Sequence, residues 1–202
     1  MKRGTDFPIE GSMEILKQRI LSDGVELGTE ILKVDSFLNH QIDIELIRQI
    51  GQEFARRFQK ENITKILTIE SSGIAVACAT SFCLGDVPVI FAKKEKASSM
   101  TDEYYCAQVK SFTKGTISMV RVNKKFLHSE DTILIIDDFL AHGEAASGLI
   151  NIVKQAGARL AGVAIVIEKE FQGGGEKIKE QGIRLESLAV VCSMQEGKIR
   201  FR

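Results

Sequence analysis

The stretch Ile133-Leu134-Ile135-Ile136-Asp137-Asp138-Phe139-Leu140-Ala141-His142-Gly143-Glu144-Ala145-Ala146 constrains the chain more than any other. Four apolar residues in a row offer no polar face, so they read as a strand buried on both sides of a sheet. Two carboxylates follow where that strand should leave its sheet. A short turn of small residues with one glycine comes next, and a helical pattern opens from Ala145 to Gln155. A helix N-terminus presents unpaired N–H groups and a partial positive charge, which together suit a phosphate. The neighbouring carboxylates repel that phosphate. They are placed instead to accept hydrogen bonds from sugar hydroxyls, or to work through a metal ion. The stretch therefore predicts a ligand carrying a phosphate at one end and a ribose beside it.

Strands and helices alternate through the rest of the chain. An amphipathic helix is predicted over Met13–Ser22, with Ile15, Leu16, Arg19 and Ile20 on one face and Gly24 at its end. Val25 to Asn39 has mixed character and reads as irregular or edge structure. Asp43 caps a helix running to about Lys60, whose Ile47, Ile50, Phe54 and Phe58 recur at helical spacing. Lys65–Ile69 is a strand ending in Glu70-Ser71-Ser72-Gly73, followed by an apolar helix, Ile74–Leu84. Pro88–Ala92 is the next strand and leads into the polar stretch KKEKASSMTDEYY, residues 93–105, read as a mobile loop. Ala107–Phe112 and Ile117–Val122 form a hairpin. After the opening feature come a buried strand over Ala161–Ile167, a loop at Gly173-Gly174-Gly175, and a short helix over Glu176–Glu180. A strand over Arg184–Cys192 and an edge strand over Lys198–Phe201 close the chain. The pattern predicts an α/β fold with a mainly parallel sheet flanked by helices, and ligands outside the carboxyl ends of its strands.

Composition narrows the partners. Over 202 residues, 27 basic and 27 acidic side chains cancel, so no electrostatic footprint for nucleic acid is present. The longest apolar run, Leu160–Ile167, is far too short to span a bilayer, and no apolar segment of the secretory type follows Lys2 and Arg3. Cys78, Cys83, Cys106 and Cys192 show no CxxC pair and read as free thiols in a reducing cytoplasm. His40, His128 and His142 lack metal-ligand spacing. Residues 1–12 carry no hydrophobic period and read as a leader or tag, leaving residues 13–202 as one domain.

The strand, acidic pair, apolar pair and small-residue turn resemble the phosphoribosyl-diphosphate (PRPP) loop of type I phosphoribosyltransferases. IIDDFLAHGEAASGL, TIESSGIA, LKVDSFLNHQ and VIEKEFQ together are similar to the bacterial xanthine-specific members of that family. His142 stands where the family usually has a threonine and Ala145 where it has a later hydroxyl, so backbone N–H groups must carry more of the phosphate here.

The resemblance implies a type I phosphoribosyltransferase fold with a small base-covering hood and a mobile loop. It also implies transfer of the phosphoribosyl group of PRPP to xanthine, with magnesium held mainly by PRPP rather than by protein ligands. Asp137 and Asp138 would hold the ribose hydroxyls, and Ala141, His142, Gly143, Glu144 and Ala145 the 5′-phosphate. Ser71, Ser72 and Gly73 would meet the diphosphate, with Lys93 and Lys94 supplying cations and residues 95–105 closing over the site. Leu32, Asn39, Lys169 and Phe139 would form the base side, with Phe171 an alternative ring. A homodimer is implied, with no nucleic acid or membrane partner. A hypoxanthine/guanine transferase is the nearest alternative. A PRPP-sensing regulator on the same fold would need a DNA-binding domain, for which about 60 residues before the first core strand leave little room.

Overall fold

The computed structural model describes residues 11–94, 103–111, 116–195 and 198–202. The hydrophobic strands β3 (Lys65–Ile69), β4 (Val89–Ala92), β7 (Thr132–Leu140), β8 (Arg159–Lys169), β9 (Leu185–Gln195) and β10 (Lys198–Phe201) make one sheet, in the order β10-β9-β8-β7-β3-β4. All neighbours run parallel except β10, which pairs antiparallel with β9 and closes that edge. The chain moves outward in both directions from β3 and β7, so the strand order reverses between them. In open α/β sheets ligands bind in the crevice at that reversal.

Both faces of the sheet are covered because its central strands are apolar on both sides. Leu134 and Ile136 pack into one core with α1 (Gly11–Asp23), α2 (Ile44–Arg57) and α3 (Gly73–Cys83). Ile133 and Ile135, pointing the other way, pack into a second core with α4 (Glu144–Ala156) and Ile178 of α5 (Gly174–Lys179). The antiparallel hairpin β5 (Tyr104–Ser111) and β6 (Thr116–Asn123) adds Val109 and Val120 to that second core. A smaller hairpin, β1 (Val25–Leu27) and β2 (Ile31–Lys33), leads into a π-helical turn over Asp35–Asn39 and forms the hood. At the end of the sheet away from the reversal crevice, Asp131 accepts hydrogen bonds from Thr64 Oγ1 (2.9 Å), Lys65 Nζ (2.7 Å) and the His128 N–H (2.9 Å). Those bonds hold its carboxyl below the ordinary range despite the opposing effect of burial, and they fasten β7 to β3.

Five expectations change. The acidic pair does not follow β7 but lies inside it, because pairing with β8 continues to Leu140↔Glu168 while pairing with β3 stops at Ile135↔Leu67. Gly174 and Gly175 belong to α5, since a Cβ on Gly174 would fall 2.3 Å from the Ala141 carbonyl oxygen. These glycines permit close packing of a helix; they do not mark a loop. Tyr104 and Tyr105, assigned to the mobile loop, pair with Asn123 and Val122 in β5–β6, whereas residues 95–102 lie outside the described residues. Ile15 is exposed, leaving Leu16 and Ile20 to anchor α1. Gly11 and Ser12, grouped with the leader, fall within α1; residues 1–10 also lie outside the described residues.

Asp43 caps α2 by accepting the Leu46 N–H at 3.1 Å, and its other oxygen lies 3.3 Å from Arg19. The face it orients carries Ile47, Ile50 and Phe54, all buried. Asp43→Ala should lower the stability by about 1 kcal/mol in urea denaturation, whereas Asp43→Asn, which keeps the cap, should lose less than half of that.

Candidate active site

Two loops open side by side at the carboxyl ends of β3 and β7 and line a cavity of about 300 Å³. The first is Glu70-Ser71-Ser72, which enters α3. Ser72 holds the N-cap position of that helix with αR backbone angles and makes no side-chain capping bond, so its hydroxyl is not consumed as a cap. The Glu70 carboxylate accepts the Lys94 N–H at 2.6 Å, tying the end of β4 to this loop. The second loop is Ala141-His142-Gly143, which enters α4. Gly143 sits at φ +83°, a left-handed conformation that side chains disfavour, and it contributes no capping side chain. The first N–H groups of a 13-residue helix therefore face the cavity without a capping side chain, an arrangement that suits an anion.

Asp137 and Asp138 lie between the two loops. Asp137 is only 6% exposed, and its Oδ1 accepts the Asp138 N–H at 3.0 Å. Burial first, then the Asp138 charge and a hydrogen bond with it, push the Asp137 carboxyl well above the usual carboxylate range; the Asp138 N–H and the Lys94 charge pull the other way. Asp138 is half-exposed and faces the cavity. A crevice with anion-binding N–H groups at two points and an acidic pair between them can hold a sugar whose hydroxyls meet the carboxylates and whose two ends are phosphorylated.

The cavity lining includes Ser71, Ser72, Lys94, Asp137, Asp138, Phe139, Ala141, His142, Gly143, Glu144 and Ala145, while Gly73 opens α3 directly beneath. Lys93 is absent from that lining. Its main chain exchanges hydrogen bonds with Arg121 of β6 (3.0 and 3.1 Å), and its ammonium lies 5.7 Å from the Phe91 ring. Of the two lysines, Lys94 is the one at the cavity.

The base-side residues are divided. Lys169 ends β8, donates to the Glu30 carbonyl at 2.8 Å, and lies 5.8 Å from the Phe139 ring. Burial holds its ammonium below the ordinary lysine value, against the Glu30 charge. Lys169, Phe139 and the hood hairpin thus converge. Leu32 is a buried core residue and Asn39 is exposed at the end of the π-helical turn; of the four base-side residues only Phe139 lines the cavity, and Leu32, Asn39 and Lys169 do not. Phe171 is exposed. Lys110 and Val109 of β5 line the cavity and were missed, because alternation marks a strand without showing which site it covers. Among the described residues no group of three or more His, Cys, Asp or Glu side chains could hold a metal ion.

A raised folded-state pKa for Asp137 contributes stability that is fully present below the ordinary aspartate pKa and is lost as pH rises through the raised value. Asp137→Asn removes that loss. The ligand-free variant should melt at a higher temperature than the parent at neutral pH, and calorimetry should show the gap closing as pH falls toward 4, about the ordinary aspartate value.

Residues 33–180 match the phosphoribosyl transferase domain family. The chain is 54% identical over 189 residues to the xanthine phosphoribosyltransferase of Ruminiclostridium cellulolyticum, covering 94% of this chain and 99% of the relative. It is 55% identical over 190 residues to that of Clostridium novyi, covering 94% and 100%. Among solved structures, adenine phosphoribosyltransferase from Rhodothermus marinus superposes with a TM-score of 0.72 at 22% identity, covering 90% of this chain and 99% of that one. The enzyme from Trypanosoma brucei, solved with AMP, pyrophosphate and ribose-5-phosphate, gives 0.71 at 18% identity, covering 93% and 81%. At that identity the two structures establish the fold, here the type I phosphoribosyltransferase fold. The matched domain, with its two loops and acidic pair at the sheet's reversal, makes this chain a member of the phosphoribosyltransferase family.

Proposed function

We propose that the protein transfers the 5-phosphoribosyl group of PRPP to xanthine, giving xanthosine 5′-monophosphate and diphosphate. One observation carries the transfer: an acidic pair held between two loops whose N–H groups suit anions. In this reading the Ala141–Ala145 loop seats the 5′-phosphate, Ser71, Ser72 and Gly73 receive the diphosphate with Lys94, and Asp137 and Asp138 hold the ribose hydroxyls. The bond from ribose C1 to the diphosphate oxygen breaks and a bond to a purine ring nitrogen forms, with the nitrogen's proton passing to solvent. Positive charge develops on the ribose meanwhile, and the carboxylates beside it favour that charge.

A magnesium ion would enter with PRPP and be held mainly by it, and Asp137 and Asp138 are the carboxylates that would face it from the protein. When bound, the ion would neutralise diphosphate charge. Xanthine as acceptor is supported by the relatives' activity and by Lys169, whose half-buried ammonium donates hydrogen bonds, matches a purine oxo group and disfavours an amino group. Asn39, exposed on the hood, is assigned to the base side by the family resemblance. Homodimerisation and a cytoplasmic setting complete the reading. The first rests on the family resemblance, the second on four free cysteines and on the absence, among the described residues, of any helix long and apolar enough to cross a membrane.

Nucleotide formation from PRPP and magnesium with xanthine, guanine, hypoxanthine and adenine in turn tests this directly. Xanthine should be the best acceptor; a faster reaction with guanine or hypoxanthine would reassign the base. Asp138→Asn should weaken PRPP by about 10- to 100-fold in calorimetric titration, the loss expected for a hydrogen bond to a charged group. Lys169→Met should lower kcat/KM for xanthine by a similar factor, about 10- to 100-fold, while PRPP affinity changes less than about threefold.

A further inference from the structure

We infer that the segment Glu170–Lys177 is a positioning element that seats the phosphate loop and the base-side lysine together, with His142 as its pin. The inference rests on the reading of the site given above and assigns His142 a role other than phosphate contact. Three hydrogen bonds join the segment to the loop. The Gly174 N–H donates to the Ala141 carbonyl at 3.0 Å, Lys177 Nζ donates to the His142 carbonyl at 3.2 Å, and His142 Nδ1 lies 3.1 Å from the Gln172 carbonyl oxygen. A carbonyl oxygen can only accept, so the last bond requires the proton on Nδ1. That proton is committed to the segment, and Nδ1 cannot at the same time donate to a phosphate.

The contact is steric as well as polar. A Cβ on Gly174 would fall 2.6 Å from the Gly143 nitrogen and 2.9 Å from the His142 carbonyl carbon, so α5 starts in direct backbone contact with the turn that opens α4. At its other end the segment is continuous with Lys169, whose ammonium is fixed by the Glu30 carbonyl and lies over Phe139. Gln172 is three residues beyond Lys169 in the same chain. Glu170–Gln172 form a short 3₁₀ turn, and a shift of it therefore moves the lysine and the phosphate loop together. Transfer needs the ribose held in line between base and diphosphate, and a small misplacement is costly.

The test compares His142→Phe, which keeps a ring and loses the donor, with His142→Asn, whose side-chain N–H₂ can take the place of Nδ1. Steady-state kinetics use the full chain with PRPP, magnesium and xanthine. In His142→Phe, KM should rise about tenfold for PRPP and, at saturating PRPP, also for xanthine, while kcat falls less; His142→Asn should recover most of both losses. If KM rises for PRPP alone, or if both variants lose equally, the pin is overturned. A fall in kcat with both KM values unchanged overturns it too, since that is the signature of a merely structural side chain. His142→Met replaces the phenylalanine variant if the latter fails to fold. Calorimetric titration of PRPP with magnesium needs no base and separates this inference from the assignment of xanthine. Weaker PRPP binding in His142→Phe that His142→Asn restores supports the pin even if xanthine is not turned over, and unchanged PRPP affinity in His142→Phe overturns it.

Discussion

A carboxylate enclosed near the carboxyl end of an interior strand is costly, and Asp137 is such a group. Its burial and the charge of Asp138 both oppose ionisation, while one main-chain N–H and the nearby Lys94 favour it. The surrounding elements keep this arrangement in place. β7 runs through the acidic pair because β8 continues to pair with it, and it stands clear of β3 on the other side, which opens the crevice. The two cores hold β7 from both faces, so the pair cannot retreat into solvent by a local shift of the strand. A site with unfavourable charge in the empty state gains most when a ligand supplies hydroxyl donors and cations to it.

The same geometry divides labour along the crevice. The acidic pair lies on β7, and the groups suited to anions are main-chain N–H groups at the starts of α3 and α4, with Lys94 beside them. The second loop carries no side-chain hydroxyl between Ala141 and Ala145, so it offers an anion main-chain N–H groups. Gly143 makes that feasible: its left-handed backbone turns the chain into α4 and leaves room for Gly174 against it. The loop Ala141–Gly143 is thus shaped by a helix that comes about 30 residues later in the chain.

What was legible in the sequence depended on whether a residue's role is local. Ile133–Ile136 announced a doubly buried strand, Asp43 a cap and Ile47, Ile50 and Phe54 a core face, and each signal lies within one element. The glycines at 174 and 175 read as a loop because the reason for them, the backbone of residues 141–143 and the side chain of Glu168, is distant in the chain. Lys93 and Lys94 could not be separated, since the choice is made by a bridge from Lys93 to Arg121. The continuation of β7 through Asp137 and Asp138 was hidden for the same reason: charge suggests an exposed end, and only the partner strand keeps the pair inside. Asn39 and Leu32 came from the family resemblance alone. Here they occupy the hood and its core without reaching the cavity.

The central claim is that one crevice at the β3–β7 reversal holds all of PRPP, with the acidic pair on the sugar between two anion seats. A crystal structure of the protein with PRPP and magnesium measures this most directly. The 5′-phosphate should lie against the N–H groups of residues 141–145, the ribose hydroxyls on Asp137 and Asp138, and the diphosphate against Ser71, Ser72 and Gly73. A 5′-phosphate seated on the Ser71–Gly73 loop, or a ribose out of hydrogen-bond reach of both carboxylates, would contradict it.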